Sequence, residues 1–329
     1  MARLRRGNGR KSSKNATPFS ILLIIIAIVL AWLVSNAGWD PISDFLGLNQ
    51  SPKVLRAAEG TVQVHFLDVG QGDCALIITE DKAVLIDSGE AEYADKVIQY
   101  IRKMGVSSLD LIVVSHPHSD HMGGMSQIIK TINTDRMIMP KLPEELIPTN
   151  NTFDGMIIAI EDNTVQAGTT PYGECVDIEL GGATLEIFAP VPNDGFDGLN
   201  DYSIVVRLIH GENSFLFTGD IEKAAEKAIL EKGFDISATV LKVAHHGSKT
   251  SSRIEFLSDV GGEYAVISVG SPNRYNHPTT DVLERLDDMH YSILRTDQAG
   301  TIVFESKEDG TLNIVRDRES ADNEWRDAA

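Results

Sequence analysis

Three histidines and one aspartate fall within six positions, His116, His118, Asp120 and His121, in the stretch SHPHSDHMGG at 115–124. The chain has nine histidines, so a third of them share one loop. Imidazoles this close repel one another when protonated, and a metal ion is the ordinary means of holding them neutral. His116 and His118 are two apart, so an extended loop can point both rings at one ion. Asp120 and His121 can serve a second ion beside it. Downstream, Asp220 in FLFTGD has two oxygens to share between ions, and His245 or His246 in VAHHGS can complete the second shell. A two-ion site of nitrogen and oxygen ligands without thiolate suits Zn²⁺ best, with Mn²⁺ or Fe possible. Such a centre activates water for attack on carbon or phosphorus. Asp120 is placed to orient that water or carry its proton, and His246 is the further candidate for proton transfer if His245 is the ligand.

Other residues are assigned around this set. Asp87 in LIDSG, and with it Asp68 in FLDVG, are expected to orient ligand loops from behind. His277 in YNHP and Ser248, after the histidine pair, are candidate substrate contacts. His65, His210 and His290 are isolated and read as structural. Cys74 and Cys175 are the two cysteines, which excludes a disulfide-stapled scaffold and a cysteine zinc site and leaves their mutual pairing open.

The elements that must position these residues alternate from Val62 onward. VQVHFLDV, DCALIIT and KAVLID read as strands, with turns at Gly70–Gly72 and Glu80–Asp81. A helix follows with Val97, Ile98, Ile101 and Met104 on one face and Gly105 as its stop. LDLIVVS is apolar from Leu111 to Val114 and reads as a strand buried on both faces. Another helix starts near Gly123–Gly124 and buries Ile128, Ile129 and Ile132. In the second half, ATLEIFA, SIVVRLI, SFLFTGD, TVLKVAHHG, YAVISVG, SILRT, TIVFES and TLNIVR read as strands. Helices run from about Ala225 to Gly233 and from Thr279 to about His290. The interval 140–180, rich in Pro, Gly, Asn and Thr, reads as a partly looped insertion joining the halves. Two β-rich halves with interspersed helices predict an α/β sandwich of two packed sheets with helices outside. LIVVS leads to His116, FLFTG to Asp220 and VLKVA to His245, so three strand ends deliver metal-type residues.

Composition bounds the partners. The formal charge is -19, and Arg3, Arg5, Arg6, Arg10, Lys11 and Lys14 all precede the first acidic residue. Setting those six aside leaves the remainder near -25, which repels long polyanions. FSILLIIIAIVLAWLV at 19–34 is apolar except for Ser20. The predicted organisation is a basic cytoplasmic tail (1–16), a single transmembrane anchor (17–36), a linker (37–59), a hydrolase domain (60–316) and a disordered tail (317–329). The basic flank places the N-terminus inside and the domain outside the cell membrane. The alternative is a signal peptide cleaved near Ser35–Ala37, which would release a secreted domain.

His-x-His-x-Asp-His after a buried strand resembles the signature of the metallo-β-lactamase superfamily, and the match runs from about Val62 to Arg316. FLDVGQGDC, TGD and LKVAHHGS resemble the hydrolase domain of ComEC-type competence proteins and extracellular phosphorylcholine esterases. The resemblance implies an αββα sandwich with a dinuclear site held by His116, His118, Asp120, His121, Asp220 and one of the 245–246 pair. Many members have a further histidine ligand before the bridging aspartate. Here GLNDYSIVV stands in that region, and its Asn200 and Ser203 match an Asn-x-x-Ser pattern of the subgroup. The implied activity is a metal-dependent phosphoesterase or phosphodiesterase on small phosphoesters, cell-wall substituents or short nucleic acid. Alternatives are a lactamase or lactonase, or a DNA-uptake accessory protein. Di-iron redox relatives carry a glutamate where His118 stands. Lys242, Lys249 and Arg253 are expected to form a small basic rim for one or two phosphates.

Overall fold

The computed structural model describes residues 57–317. The expected tail, anchor, most of the linker and the final residues lie outside that range. Strands β1 (Thr61–Phe66), β2 (Ala75–Ile78), β3 (Ala83–Ile86), β4 (Ser108–Val113), β5 (Asn133–Pro140) and β6 (Gln166–Thr170) build one sheet. A second sheet takes β7 (Cys175–Glu179), β8 (Thr184–Phe188), β9 (Val205–His210), β10 (Asn213–Phe217), β11 (Val240–Lys242), β12 (Tyr264–Ile267) and β13 (Ser292–Arg295). The chain then returns. Strands β14 (Ile302–Lys307) and β15 (Leu312–Arg316) pair onto β1, giving the order β15-β14-β1-β2-β3-β4-β5-β6. The halves of the sequence are therefore not the halves of the fold. Strand polarity explains the return: Val62, Val64 and Phe66 point inward and need a neighbour with Ile302 and Phe304 on the same face.

Three apolar layers follow from strand alternation. Between the sheets lie Phe66, Val84, Ile86, Leu111 and Val113 against Val206, Phe215, Phe217 and Val240. The outer face of the first sheet, with Leu85 and Ile112, is covered by α1 (Ala94–Lys103), α2 (Ser119–Met122), α3 (Met125–Thr131) and α4 (Asn151–Asp162). The outer face of the second, with Leu216 and Leu241, is covered by α5 (Lys223–Lys232), α6 (Ile254–Val260) and α7 (Thr280–Asp288). Leu111 and Val113 face one layer and Ile112 and Val114 the other, which is why the run 111–114 at the end of β4 is apolar on both faces. The interval 140–180 is more ordered than its composition predicts. Asn150 caps α4 through its side-chain oxygen on the Thr152 and Phe153 amides, and Met156, Ala159 and Ile160 bury one face. Strands β6 and β7 follow. Strand β5 and helix α6 carry no strong sequence signal and were not expected. Cys74 is buried, Cys175 is exposed, and both are free thiols.

One buried acid ties this frame to the site. Glu226 on α5 is 1% exposed, and its carboxylate accepts from the amides of Ser252 and Arg253 (3.1 Å to the latter). It thereby pins the segment that follows His245 and His246. Burial raises its pKa to about 7, against the two amides that lower it. The folded state therefore holds this proton more tightly than the unfolded chain. The stabilisation is complete below about pH 4.5 and is lost as pH rises through 7. Over that window the loss amounts to about 3 kcal/mol. The Tm of the native protein minus that of Glu226→Gln, which cannot ionise, should fall as pH rises from 5 to 8. A pH-independent difference would contradict the assignment.

Candidate metal centre

Parallel strands end together at one edge. β3 delivers Asp87, β4 delivers Ser115 and His116, β10 delivers Asp220, and β11 leads to His245 and His246. Asp87, 1% exposed, accepts from the Ser115 amide (2.7 Å) and hydroxyl (2.6 Å), and its Oδ2 lies 2.9 Å from His121 Nδ1. That contact fixes the His121 tautomer and turns Nε2 outward. His246 donates from Nδ1 to the Ser268 carbonyl at 2.8 Å, so its Nε2 also presents a lone pair. The ligand atoms of Asp120, His121, Asp220 and His246 all lie within 4.8 Å of one another. His121 Nε2 is 3.2 Å from Asp220 Oδ1, and His246 Nε2 is 3.4 Å from Asp120 Oδ2. None of His121 Nε2, His246 Nε2 and Asp220 Oδ1 has the alignment of a hydrogen bond, although all three are buried. Buried polar atoms left unsatisfied cost stability. Three that converge on one point from nitrogen and oxygen donors fit a divalent cation.

The second group is looser. His116 Nε2 and His118 Nδ1 face each other at 2.9 Å, and His116 Nε2 is 3.9 Å from Asp220 Oδ2. Asp220 thus offers one oxygen to each group. The local field suits positive charge. Burial disfavours a charged ring, yet Asp220 and Asp87 outweigh it and push His121 well above its ordinary value. His246 is likewise raised to about 9: burial opposes the charge, and Asp220, Asp120 and Asp73 overcome it. Burial holds His116 well below the usual histidine range.

Two glycines permit the close approaches. At Gly219, φ +51°, a Cβ would sit 2.8 Å from the Ser115 Cβ, so only glycine lets the Asp220 turn pass β4. At Gly72, φ +145°, a Cβ would sit 2.4 Å from the Asp120 carbonyl oxygen. His245 and His246 are themselves left-handed, φ 51° and 53°. Such a pair costs on the order of 1–2 kcal/mol per residue, and it sends the two rings apart. His246 points into the buried floor. The His245 side chain is 23% exposed, with Nε2 3.7 Å from Asp220 Oδ2 and Nδ1 3.2 Å from Glu222 Oε1.

Not every expected residue reaches this place. His116, His118, Asp120, His121, Asp220, His245 and His246 converge, with Asp87 behind them. Of the pair, whose division the sequence leaves open, His246 rather than His245 joins the compact group. Asn200 and His277 line the 310 Å³ cavity over the cluster together with Gln71, Ser119 and Tyr275. His277 is pushed down to about 4 by burial and by His245 and His246. Ser203 does not line the cavity; its hydroxyl accepts from the Asp220 amide at 3.2 Å. Ser248 is buried beside the Thr250 hydroxyl at 3.0 Å and holds its own turn. Asp68 stays in its turn, accepting from the Gly70 amide, with Lys96 3.7 Å away. The acid that enters from this loop is Asp73, five residues on. It is 6% exposed, pairs with the Lys242 ammonium and lies 3.4 Å from His246 Nδ1. Lys242, 3% exposed, is therefore beneath the site and not on a basic rim. Lys249 and Arg253 are exposed, and Arg253 lies 3.5 Å from Glu255. Sequence reasoning missed Asp73 and Glu222.

The chain is similar in sequence to known proteins. ComE operon protein 3 of Bacillus subtilis (strain 168) is 30% identical over 285 residues, which is 79% of this chain and 35% of that protein. Competence protein ComA of Neisseria gonorrhoeae is 30% identical over 295 residues, 88% of this chain and 39% of the relative. The chain thus spans little more than a third of the length of these relatives. Among solved structures, the metallo-beta-lactamase fold protein YhfI from Bacillus subtilis superposes with a TM-score of 0.45 at 12% identity, over 71% of this chain and 95% of that one. Residues 67–271 match the metallo-beta-lactamase superfamily. With two facing sheets, helices on both outer faces and a His/Asp cluster at their shared edge, this chain belongs to the metallo-β-lactamase superfamily.

Proposed function

We propose that this chain is an extracytoplasmic, membrane-anchored, metal-dependent phosphodiesterase for small or short-chain substrates. The observation that carries the reading is the convergence of buried, unpartnered lone pairs from His121, His246 and Asp220 beside His116 and His118. His116, His118 and Asp220 would hold one divalent ion, and Asp120, His121, Asp220 and His246 the other, with Zn²⁺ the best match to the donors. Ions bound there supply Lewis acidity that activates water and polarises a phosphoryl oxygen. The protein's own groups do the rest. Asp87 and the Ser268 carbonyl lock the rings. Asp220 holds the two groups in register through the Ser203 hydroxyl on its amide. His245, at the mouth and steadied by Glu222, faces incoming substrate and can donate a hydrogen bond or proton to a departing oxygen. The competence relatives support a phosphodiester substrate. The membrane anchor rests on residues 17–36, outside the described range; among the described residues no helix is long and apolar enough to cross a membrane.

The charge of -19 sets the preference among diesters. Lys242, a basic residue near the cluster in sequence, is buried and is not available to hold a polyanion. A panel at about 150 mM salt should therefore show aryl diesters and short single strands cleaved faster than plasmid-length duplex, whose cleavage should fall steeply with salt. Efficient duplex degradation at that salt, lost in His116→Ala, would overturn the preference. Absence of any phosphodiester cleavage would overturn the reading.

A further inference from the structure

A second cavity of 640 Å³ adjoins the first and shares Gln71, Asp120 and Tyr275 with it. Its other walls are Glu90, Glu92, Tyr93 and Pro272–Tyr275. Resting on the phosphodiesterase reading above, we propose that Arg274 and Tyr275 form a subsite for the phosphate next to the scissile one in a short oligonucleotide.

The loop 270–277 is held from within by one side chain. Asn273 donates to the Gly270 carbonyl (2.8 Å) and the His277 carbonyl (2.7 Å), while its Oδ1 accepts from the amides of Tyr275 (3.2 Å) and His277 (3.0 Å). One side chain thus saturates the loop's interior and leaves Arg274 and Tyr275 pointing away from it. Both are exposed, Tyr275 at 47%. A loop held this firmly around two outward side chains is a preorganised presentation.

Charge supplies the second step. Acidic residues outnumber basic ones 48 to 29 in this chain, yet the Arg274 guanidinium makes no ion pair among the described residues. It lies 4.9 Å over the Tyr275 ring, and its Nη2 donates to the Tyr275 hydroxyl at 2.7 Å. The phenolic hydrogen can then be donated outward, together with the remaining guanidinium hydrogens. Arginine's fixed fork matches phosphate oxygens. Glu90, Glu92 and Asp120, which line the same cavity, limit the subsite to one phosphate and disfavour an extended polyanion. The exposed Tyr275 ring, packed at 5.7 Å on His277, offers an aromatic surface that a nucleoside can use and a polyol-phosphate chain cannot.

The test measures how the subsite couples to its phosphate. Binding of a thymidine dinucleotide carrying phosphates at both ends is compared with the same dinucleotide lacking them, by calorimetry on the Zn²⁺-loaded full chain. Removing the terminal phosphates should weaken binding at least about tenfold in the native protein and less than about twofold in Arg274→Ala. Tyr275→Phe should lose part of the effect. Hydrolysis of methyl p-nitrophenyl phosphate, which has no second phosphate, should stay within about twofold in Arg274→Ala. An equal phosphate effect in native and Arg274→Ala proteins would overturn the subsite while leaving the phosphodiesterase reading intact, and so would equal tightening by the terminal phosphate of a glycerol-phosphate dimer. Loss of coupling in Arg274→Ala together with no aryl diester hydrolysis by the native chain would support the subsite and overturn the reaction.

Discussion

Asp220→Asn should reduce divalent-metal affinity and hydrolytic turnover by more than about 100-fold, beyond the 10–100-fold that residues behind a metal site typically cost. The substitution keeps the shape and the amide contact to Ser203 but removes the charge that faces both groups. Asp220 Oδ1 is 3.2 Å from His121 Nε2, and Oδ2 is 3.9 Å from His116 Nε2 and 3.7 Å from His245 Nε2. Its carboxylate stays ionised because His121 and His246 outweigh the burial that opposes it. Metal binding must displace the proton that Asp220, Asp120 and Asp73 hold on His246, whose pKa is raised to about 9. Affinity in the native protein should therefore rise with pH between about 7 and 9, with proton release on binding. Titration calorimetry in buffers of different ionisation enthalpy reads both effects. Unchanged affinity in Asp220→Asn would remove the aspartate from the centre.

Lys242→Met should destabilise the domain by about 3–5 kcal/mol, since it leaves Asp73 charged and uncompensated in the core. For a domain of this size that corresponds to a Tm lower by about 10 °C. Burial alone would raise the Asp73 pKa, and Lys242 is the main group that holds it down. The partner substitution supplies the control: Lys242→Met combined with Asp73→Leu should recover much of the lost Tm. If the double variant were less stable than Lys242→Met, the pair would not be the origin of the effect.

These two residues also show how far the sequence could be read. The dense stretch at 115–124 and the strand-end positions of Asp220 and the 245–246 pair were legible because metal ligands need particular side chains in short order after buried strands. The sandwich was legible from alternation and from continuous apolar runs such as 111–114 at the end of β4. Asp73 was not, although its signal was present: Lys242 stands inside the apolar run VLKVA, and a buried ammonium requires a buried acid. The sequence does not say where along the chain that acid lies. The choice between His245 and His246 was also hidden. Adjacent residues in an ordinary strand point to opposite faces, and only the left-handed backbone at both decides which ring enters the floor. The return of β14 and β15 to the first sheet rests on pairing with β1 across more than 230 positions, a separation no local pattern encodes. The segment 140–180 misled because its turn-forming residues mark the ends of α4, β6 and β7, whereas composition averages over them.

Metal removal tests most directly the proposed dependence of hydrolysis on metal held by this cluster. Full-length protein in detergent, stripped with a chelator and dialysed, is assayed on bis(p-nitrophenyl) phosphate as Zn²⁺ or Mn²⁺ is returned. The stripped protein should show no turnover, with recovery that saturates at about two ions per chain and no recovery in Asp220→Asn. Undiminished turnover by protein verified free of metal would contradict that dependence.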